Sequence, residues 1–367
     1  MKLRTFLCLL LVFPSLLFAQ ANAEQTMNQG AYYQATDANN RTLKLPQKPE
    51  HILIAGKAAI MPANALFLFP ESQTMTIESA KTDQGLGDFF SFLRPDLDQK
   101  PRLAQNASVE ELATKNSDVI LTKTSNYEAL CKKLDQLGIP NYTMNLETYG
   151  QWMHEINELG KLLKNTARAK QILALYDQRM QKLTDTVKAI PKDQQKRVLI
   201  LQADRTDNTY AYKIAPDSWM QTWMVQTINA IPVWEGANTA ANGWSTVSFE
   251  QIAAWDPDII ILVNYRIGSD QYLKAVYDAK PWAQLKAVKN HQVLASPSDM
   301  MNYIQPVASW ILGLQWMAKT VYPDQFANMD MASEVASFYR DFYGIKDEQK
   351  LQTLVDAYQK SIAENQV

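Results

Sequence analysis

The sequence contains few of the residues that build disulfide scaffolds or protein-bound metal sites. Among 367 residues there are only two cysteines and three histidines. Cys8 lies in an apolar N-terminal segment, so Cys131 would be the single cysteine of a processed chain and no internal disulfide could form. His51, His154 and His291 share no ligand spacing, which argues against a zinc-type site. We therefore expect a fold held together by burial, with no metal ligated by the protein itself.

Net charge and catalytic motifs are scarce as well. A formal net charge of −2 gives no reason to expect nucleic acid or a membrane surface as a partner. Beyond the N-terminus, no segment is long and apolar enough to insert into a bilayer. There is no G-x-S-x-G elbow, and "GLGDFF" at 85–90 lacks the last glycine of a phosphate-binding loop. No catalytic residue is predicted, and an exported enzyme or an adhesion module is kept as an alternative class.

The first residues have the pattern of a secretory signal peptide. A basic start (Lys2, Arg4) precedes an apolar run, and Ala21-Asn22-Ala23 forms a small-x-small cleavage site. Because the apolar run is short and contains proline, a membrane anchor is the weaker interpretation. We predict a signal peptide over 1–23, cleaved near Ala23, and export to the periplasm.

The rest of the chain alternates between short apolar segments and helical patterns. Segments typical of strands occur at 51–56, 74–77, 118–122 and 141–144, and again at 197–202, 258–263 and 292–296. Hydrophobic residues make up 47% of the chain, and its length favours two domains. This alternation predicts an α/β fold of two three-layer lobes with mainly parallel sheets.

Two stretches, "SVEELATKNSDVILT" from Ser108 and "SFEQIAAWDPDIIIL" from Ser248, repeat one another at a separation of 140 positions. Each has a serine that can cap a helix, a glutamate two positions later and a strand behind it. The repeated pattern indicates that both lobes use the same local structure. We call these two stretches the echo segments.

An amphipathic pattern separates the two lobes. Trp152, Ile156 and Leu159 recur at helical spacing, and a second helical run begins at Thr166 and is stopped by Pro191. At 1.5 Å per residue such a helix reaches roughly 35 Å, enough to join two domains. The predicted division is 1–23 signal peptide, 24–147 N-terminal lobe with a polar leader, 148–191 helix pair with the linker, 192–325 C-terminal lobe and 326–367 C-terminal helices.

In their order and spacing, "SVEELATKNSDVIL", "LGIPNYTMNLETYGQWMHEINELGKLL", "GWSTVSFEQIAAWDPDIIIL" and "ILGLQWMAKTVYPDQF" carry a resemblance. The chain resembles the helical-backbone periplasmic binding proteins of ABC importers, which serve iron–siderophore, haem, cobalamin and some oxyanion uptake. The resemblance implies a monomer, without cofactor or enzymatic activity, that holds its ligand in a cleft between the lobes. It also implies delivery to a permease dimer with its ATPase. Glu110 and Glu250 match the glutamates with which family members dock on permease arginines.

Loop residues just beyond the predicted strands are the candidate ligand contacts. Lysine and arginine there would suit carboxylate, phosphate-like or oxyanion groups, and aromatic rings would stack on a flat chelate. Two tryptophans four positions apart, Trp219 and Trp223, are instead expected in the core. An iron–siderophore complex is the first choice of ligand, with haem, a cobalamin-like chelate or molybdate/tungstate as alternatives. The candidate ligand contacts are Lys57, Lys123, Tyr127, Asn242, Trp244, Tyr265, Arg266 and Tyr303.

Overall fold

A computed structural model of the chain describes residues 33–82, 84, 86–206, 209–240, 243–265 and 270–363. The predicted signal peptide and two candidate ligand contacts, Asn242 and Arg266, lie outside these ranges. Within them, no helix combines the length and the apolar composition that crossing a membrane requires.

The N-terminal lobe is built on a four-stranded parallel sheet with the strand order β4-β3-β5-β6. Every residue of β5 is buried, as expected for a parallel strand covered by helices on both faces. An antiparallel hairpin, β1–β2, precedes the sheet within the predicted polar leader. The strands are β1 (Tyr33–Thr36), β2 (Thr42–Leu45), β3 (His51–Ile54), β4 (Thr76–Ser79), β5 (Val119–Lys123) and β6 (Asn141–Met144).

Short helices connect these strands. A π-helical turn, Tyr127–Cys131, leads into the last of them. Cys131 is fully buried, and this burial raises the pKa of its thiol to about 12, so very little of the reactive thiolate is present at neutral pH. The helices of this lobe are α1 (Ile60–Phe67), α2 (Phe89–Leu93), α3 (Val109–Ala113) and α4 (Lys132–Gln136).

The C-terminal lobe contains a mixed sheet with the order β10-β8-β7-β11-β12, in which β9 also pairs with β7. β7, β9, β11 and β12 are parallel, whereas β8 and β10 run antiparallel to their neighbours. The strands are β7 (Arg197–Thr206), β8 (Thr209–Ile214), β9 (Ile231–Pro232), β10 (Ser245–Val247), β11 (Ile259–Val263) and β12 (Val293–Ala295). The helices are α7 (Met220–Thr227), α8 (Phe249–Trp255), α9 (Asp270–Asp278) and α10 (Lys286–Lys289).

A pair of helices, α5 (Tyr149–Leu162) and α6 (Thr166–Val187), connects the lobes. Thr148 and Gln151 form a capping box that fixes the start of α5. A Cβ atom at Gly160 would lie 2.5 Å from the Cβ of Ala169, so only glycine permits this close approach of the two helices. α6 has 22 residues and is therefore about 33 Å long. It is the long helix that joins the two α/β lobes.

The chain ends with α11 (Trp310–Val321), α12 (Met331–Tyr343) and α13 (Glu348–Ala363). We call α12 and α13 the C-terminal hairpin. The hairpin contacts both lobes: Tyr343 Oη donates to Asn64 of α1 at 2.9 Å, and Lys350 Nζ donates to the carbonyl of Phe92 at 2.9 Å. On the other side, Tyr339 Oη donates to the carboxylate of Asp299. Its helices therefore restrain the two lobes relative to each other.

Candidate ligand-binding cleft

The carboxyl ends of the parallel strands of the two sheets face each other. Past β4, the amide of Gln84 exchanges hydrogen bonds of 3.1 and 3.0 Å with the amide of Gln305, which lies past β12. Past β6, the carbonyl of Glu147 accepts a hydrogen bond of 2.9 Å from the backbone N–H of Met220. Ligands of open α/β sheets bind beyond the carboxyl ends of the strands, so this junction is the candidate cleft.

An ion pair from the N-terminal lobe lies at this junction. Lys123, the last residue of β5, is 3% exposed, and its Nζ is 2.5 Å from Oε1 of Glu147. The same ammonium donates to the carbonyl of Asn145. Since the carboxylate compensates the ammonium, the pair adds no net charge to the cleft.

A buried carboxylate fixes the backbone of the loop that carries Glu147. Glu155 of α5 accepts hydrogen bonds from the backbone N–H groups of Asn145 (2.8 Å) and Leu146 (3.3 Å). Burial raises the pKa of Glu155 to about 7, against the opposing effect of these two donors. The backbone hydrogen bonds fix the loop and thereby the position of the ion pair.

The C-terminal lobe contributes a group of aromatic side chains, Trp219, Trp244 and Tyr265, which we call the aromatic wall. The ring centroids of Trp219 and Trp244 are 6.0 Å apart and those of Trp244 and Tyr265 are 6.2 Å apart. All three side chains are half-buried. The wall therefore offers partly solvent-accessible aromatic surface beside the junction, and such surface favours flat or apolar groups.

The remaining candidate contacts lie in different surroundings. Lys57 is exposed just beyond β3. Tyr127 faces the guanidinium of Arg41, 4.9 Å from its ring centroid. Tyr303 is fully buried, donates to Asp299 at 2.9 Å and stacks on Tyr358. A ligand could touch the Tyr303 ring only if this loop moved.

Glu147 and Gln221 lie at the junction although neither is among the predicted contacts, and Trp219 is not in the core where the sequence predicts it. Trp223 packs against the core and stacks on Tyr149 at 4.6 Å, but Trp219 lies in the aromatic wall. The local pattern does not single out Gln221, because the equally polar Thr222 follows it in the first turn of α7. Glu147 lies just beyond β6 as Lys123 lies at the end of β5, but a carboxylate was not among the side-chain types expected to contact the ligand.

The glutamates of the echo segments lie on the outer surface. Glu110 and Glu250 are both exposed in the first turns of α3 and α8. Each side chain is bonded by its own backbone N–H and by the hydroxyl of the capping serine, which lowers the pKa of both carboxyls. Both groups are therefore ionised at neutral pH.

Glu110 lies on the same edge of its sheet as the cleft. A surface pocket of 310 Å³ is lined by Glu110 together with Gly56 and Lys57, which follow β3, and Asn126, which follows β5. Since these neighbours come from the carboxyl ends of strands, the glutamate flanks the mouth of the cleft.

A family model described as periplasmic binding protein matches residues 104–300, which is more than half of the chain. The chain belongs to the periplasmic binding protein family. The match includes both echo segments and most of the residues of the junction.

Two relatives align over most of their length. The uncharacterized ABC transporter substrate-binding lipoprotein YvrC of Bacillus subtilis is 24% identical over 296 residues, covering 79% of this chain and 85% of that protein. The molybdate-binding protein MolA of Haemophilus influenzae is 22% identical over 281 residues, covering 70% and 76%. A periplasmic solute-binding protein structure from Veillonella parvula superimposes with a TM-score of 0.69 at 22% identity, covering 91% of this chain and 98% of that one. This likeness shows the two-lobed fold.

Proposed function

We propose that this protein is the periplasmic ligand-binding component of an ABC importer and that it captures a metal chelate, in the first place an iron–siderophore complex. The observation that carries the choice of ligand is the aromatic wall of Trp219, Trp244 and Tyr265 at the lobe junction. Aromatic faces bind the flat, partly apolar periphery of a chelate better than they bind a small, strongly hydrated ion.

The ion pair beside the wall supports the same choice. A bare oxyanion is best held by several unpaired donors or cations. The ammonium of Lys123, however, is already bonded to Glu147 and to the carbonyl of Asn145. The paired ammonium of Lys123 therefore attracts a small anion less strongly than an unpaired lysine would.

Molybdate is the second candidate, because a relative that aligns with 70% of this chain is named a molybdate-binding protein. That assignment belongs to the relative, and identity of 22% leaves room for a different ligand. The two candidates require opposite cleft chemistry, so they can be separated by experiment.

Thermal-shift measurements on the purified protein test the proposal. Ferric hydroxamate and catecholate chelates, haem, cobalamin and sodium molybdate are added separately. A specific ligand stabilises the folded state by ~2.7 kcal/mol at a hundredfold excess over Kd. A ferric chelate should raise the melting temperature in proportion to log concentration. Stabilisation by molybdate alone would select the second candidate, and turnover of the bound compound would contradict the binding function.

Docking completes the proposed transport cycle. Glu110 and Glu250 are ionised, exposed and repeated in both lobes, as expected for charges that set the register and rate of encounter with a basic surface. We assign them to contact with the two subunits of the permease.

A further inference from the structure

Gln221 in the first turn of α7 has a side chain whose orientation is set by its neighbours. Its Nε2 donates to Tyr265 Oη at 3.2 Å, and Tyr265 Oη donates to the carbonyl of Ile304 at 2.8 Å. A phenol has one proton, and Ile304 receives it, so Tyr265 can only accept from Gln221. The amide nitrogen therefore faces Tyr265, and the amide oxygen points elsewhere.

That amide oxygen is buried and has no hydrogen-bond partner among the residues that the structure describes. Gln221 as a whole is 2% exposed, so a ligand can reach its amide, like the Tyr303 ring, only when the side chains around it move. A buried acceptor without a donor destabilises the folded protein, and most buried polar groups are satisfied. The unmet acceptor thus indicates a position at which a donor is favoured.

Gln221 lies where the two lobes meet. Its neighbour Met220 donates its backbone N–H to Glu147 of the other lobe at 2.9 Å. On the other side, Gln221 bonds directly to Tyr265 of the aromatic wall. The unpaired oxygen therefore belongs to a residue that adjoins the backbone contact between the lobes and is bonded to the aromatic wall.

We propose that Gln221 is a specificity-determining residue whose carbonyl oxygen accepts a hydrogen bond from an N–H or O–H group of the ligand. This inference rests on the proposed binding function and narrows the ligand class to organic chelates with peripheral donors. A tetrahedral oxyanion that is fully deprotonated at neutral pH has only acceptor oxygens and cannot satisfy this group. Sites built around such a group discriminate strongly against ligands that lack the matching partner.

The test compares the wild-type protein with Gln221→Leu and with Gln226→Leu as a matched control. Gln226 is an exposed residue of the same helix whose amide donates to Glu235 at 2.9 Å. Calorimetric titrations use ferrioxamine B, a ferric hydroxamate chelate with amide N–H groups, and sodium molybdate. Melting temperatures are measured on the ligand-free proteins.

The expected result has two parts. Gln221→Leu should weaken chelate binding by about 5- to 150-fold, because one ligand hydrogen bond is lost. Its ligand-free melting temperature should change little, because removal of the unmet acceptor offsets the loss of the hydrogen bond to Tyr265. The Gln226→Leu variant should bind as the wild type does. A purely structural role for Gln221 would lower the melting temperature and leave chelate affinity unchanged.

Other outcomes overturn the inference in distinguishable ways. Unchanged chelate affinity in Gln221→Leu would refute it while leaving the binding function intact. Tight molybdate binding without chelate binding would refute it together with the choice of chelate, and the protein would still be a binding protein. If the wild type bound neither probe, the proposed chelate-binding function itself would fail, and the inference with it.

Discussion

Replacing Glu147 with glutamine should destabilise the protein strongly, because it leaves a buried ammonium without its counter-ion. The side chain of Lys123 is 4% exposed, and its Nζ lies 2.5 Å from the Glu147 carboxylate. After the substitution, the ammonium would keep the neutral carbonyl of Asn145 as its acceptor, and the nearby carboxyl of Glu155 is bonded to the backbone and has a pKa raised to about 7. Breaking a buried ion pair by removing one partner costs about 3–5 kcal/mol. We expect a loss in the free energy of unfolding within this range.

The matched control is the exposed pair formed by Lys132 and Glu128. Their charged groups are 2.7 Å apart, but the side chains are 52% and 77% exposed. Water already solvates both ions there, so Glu128→Gln should cost about 0–1 kcal/mol. The same chemical change is thus made in two environments.

Urea unfolding at pH 7 measures both variants, with the midpoint compared at constant m-value. A double variant, Lys123→Met with Glu147→Leu, should recover most of the loss, since apolar replacement of both ions removes the uncompensated charge. If Glu147→Gln lost no more stability than Glu128→Gln, the ion pair would not be buried as described. If the double variant were less stable than Glu147→Gln, desolvation would not be the cause.

The remaining predictions concern docking and the C-terminal hairpin. Glu110→Lys combined with Glu250→Lys should abolish ligand uptake in cells but leave the Kd for the ligand unchanged. The control variant Glu111→Lys, in the same turn as Glu110, should keep uptake near the wild-type level. If the double variant lost ligand affinity as well as uptake, the glutamates would belong to the binding site. Tyr339→Phe removes a donor to the buried carboxylate of Asp299 and should lower the free energy of unfolding by about 1.5–3 kcal/mol. Urea unfolding checks this value, and a change below 0.5 kcal/mol would show that the hydrogen bond adds little to stability.

The alternation of strands and helices could be predicted from the sequence because buried parallel strands have a simple apolar pattern. The apolar runs Val119–Leu121 and Ile259–Val263 are buried at every position. A continuous apolar run between turn residues is sufficient to predict such a strand. The long linker helix was equally clear, since its apolar stripe repeats at helical spacing over Thr166–Val187.

The partly exposed strands β8 and β10 were not predicted from the sequence, because they lack the continuous apolar run of a buried strand. Thr209–Ile214 is half-exposed over most of its length and pairs antiparallel with the end of β7. Ser245–Val247 forms a strand of only three residues at the edge of the same sheet. Such strands lack a continuous apolar run, and their pairing depends on distant residues that the local pattern does not reveal.

The cleft was predictable in position but not in its contacts. Because ligands of α/β sheets bind near strand ends, the sequence predicts Lys123, Trp244 and Tyr265 as ligand contacts. The structure places these three residues at the lobe junction. The sequence also predicts Tyr303, which the C-terminal hairpin covers through Tyr358. Burial by a helix that lies far away in the sequence cannot be inferred from the loop itself.

The aspartates shared by the two echo segments have the same structural role in both lobes. Asp118 accepts hydrogen bonds from the backbone N–H groups of Glu50 and His51, at 2.7 and 2.8 Å, where β3 begins. Asp258 accepts one from Arg197, at 2.8 Å, where β7 begins. Each aspartate therefore fixes the start of the neighbouring strand in the same way.

The turns before these aspartates are also repeated, although their residue types differ. Asn116 and Asp256 occupy equivalent positions and both adopt left-handed backbone conformations, with φ of 49° and 38°. Asparagine and aspartate tolerate this region better than most residues. Repetition thus preserves the scaffold that aligns each sheet, whereas Gln221 and Glu147 of the lobe junction lie outside the echo segments. Under the proposed role of Gln221, ligand specificity can therefore change at a position outside the repeated scaffold.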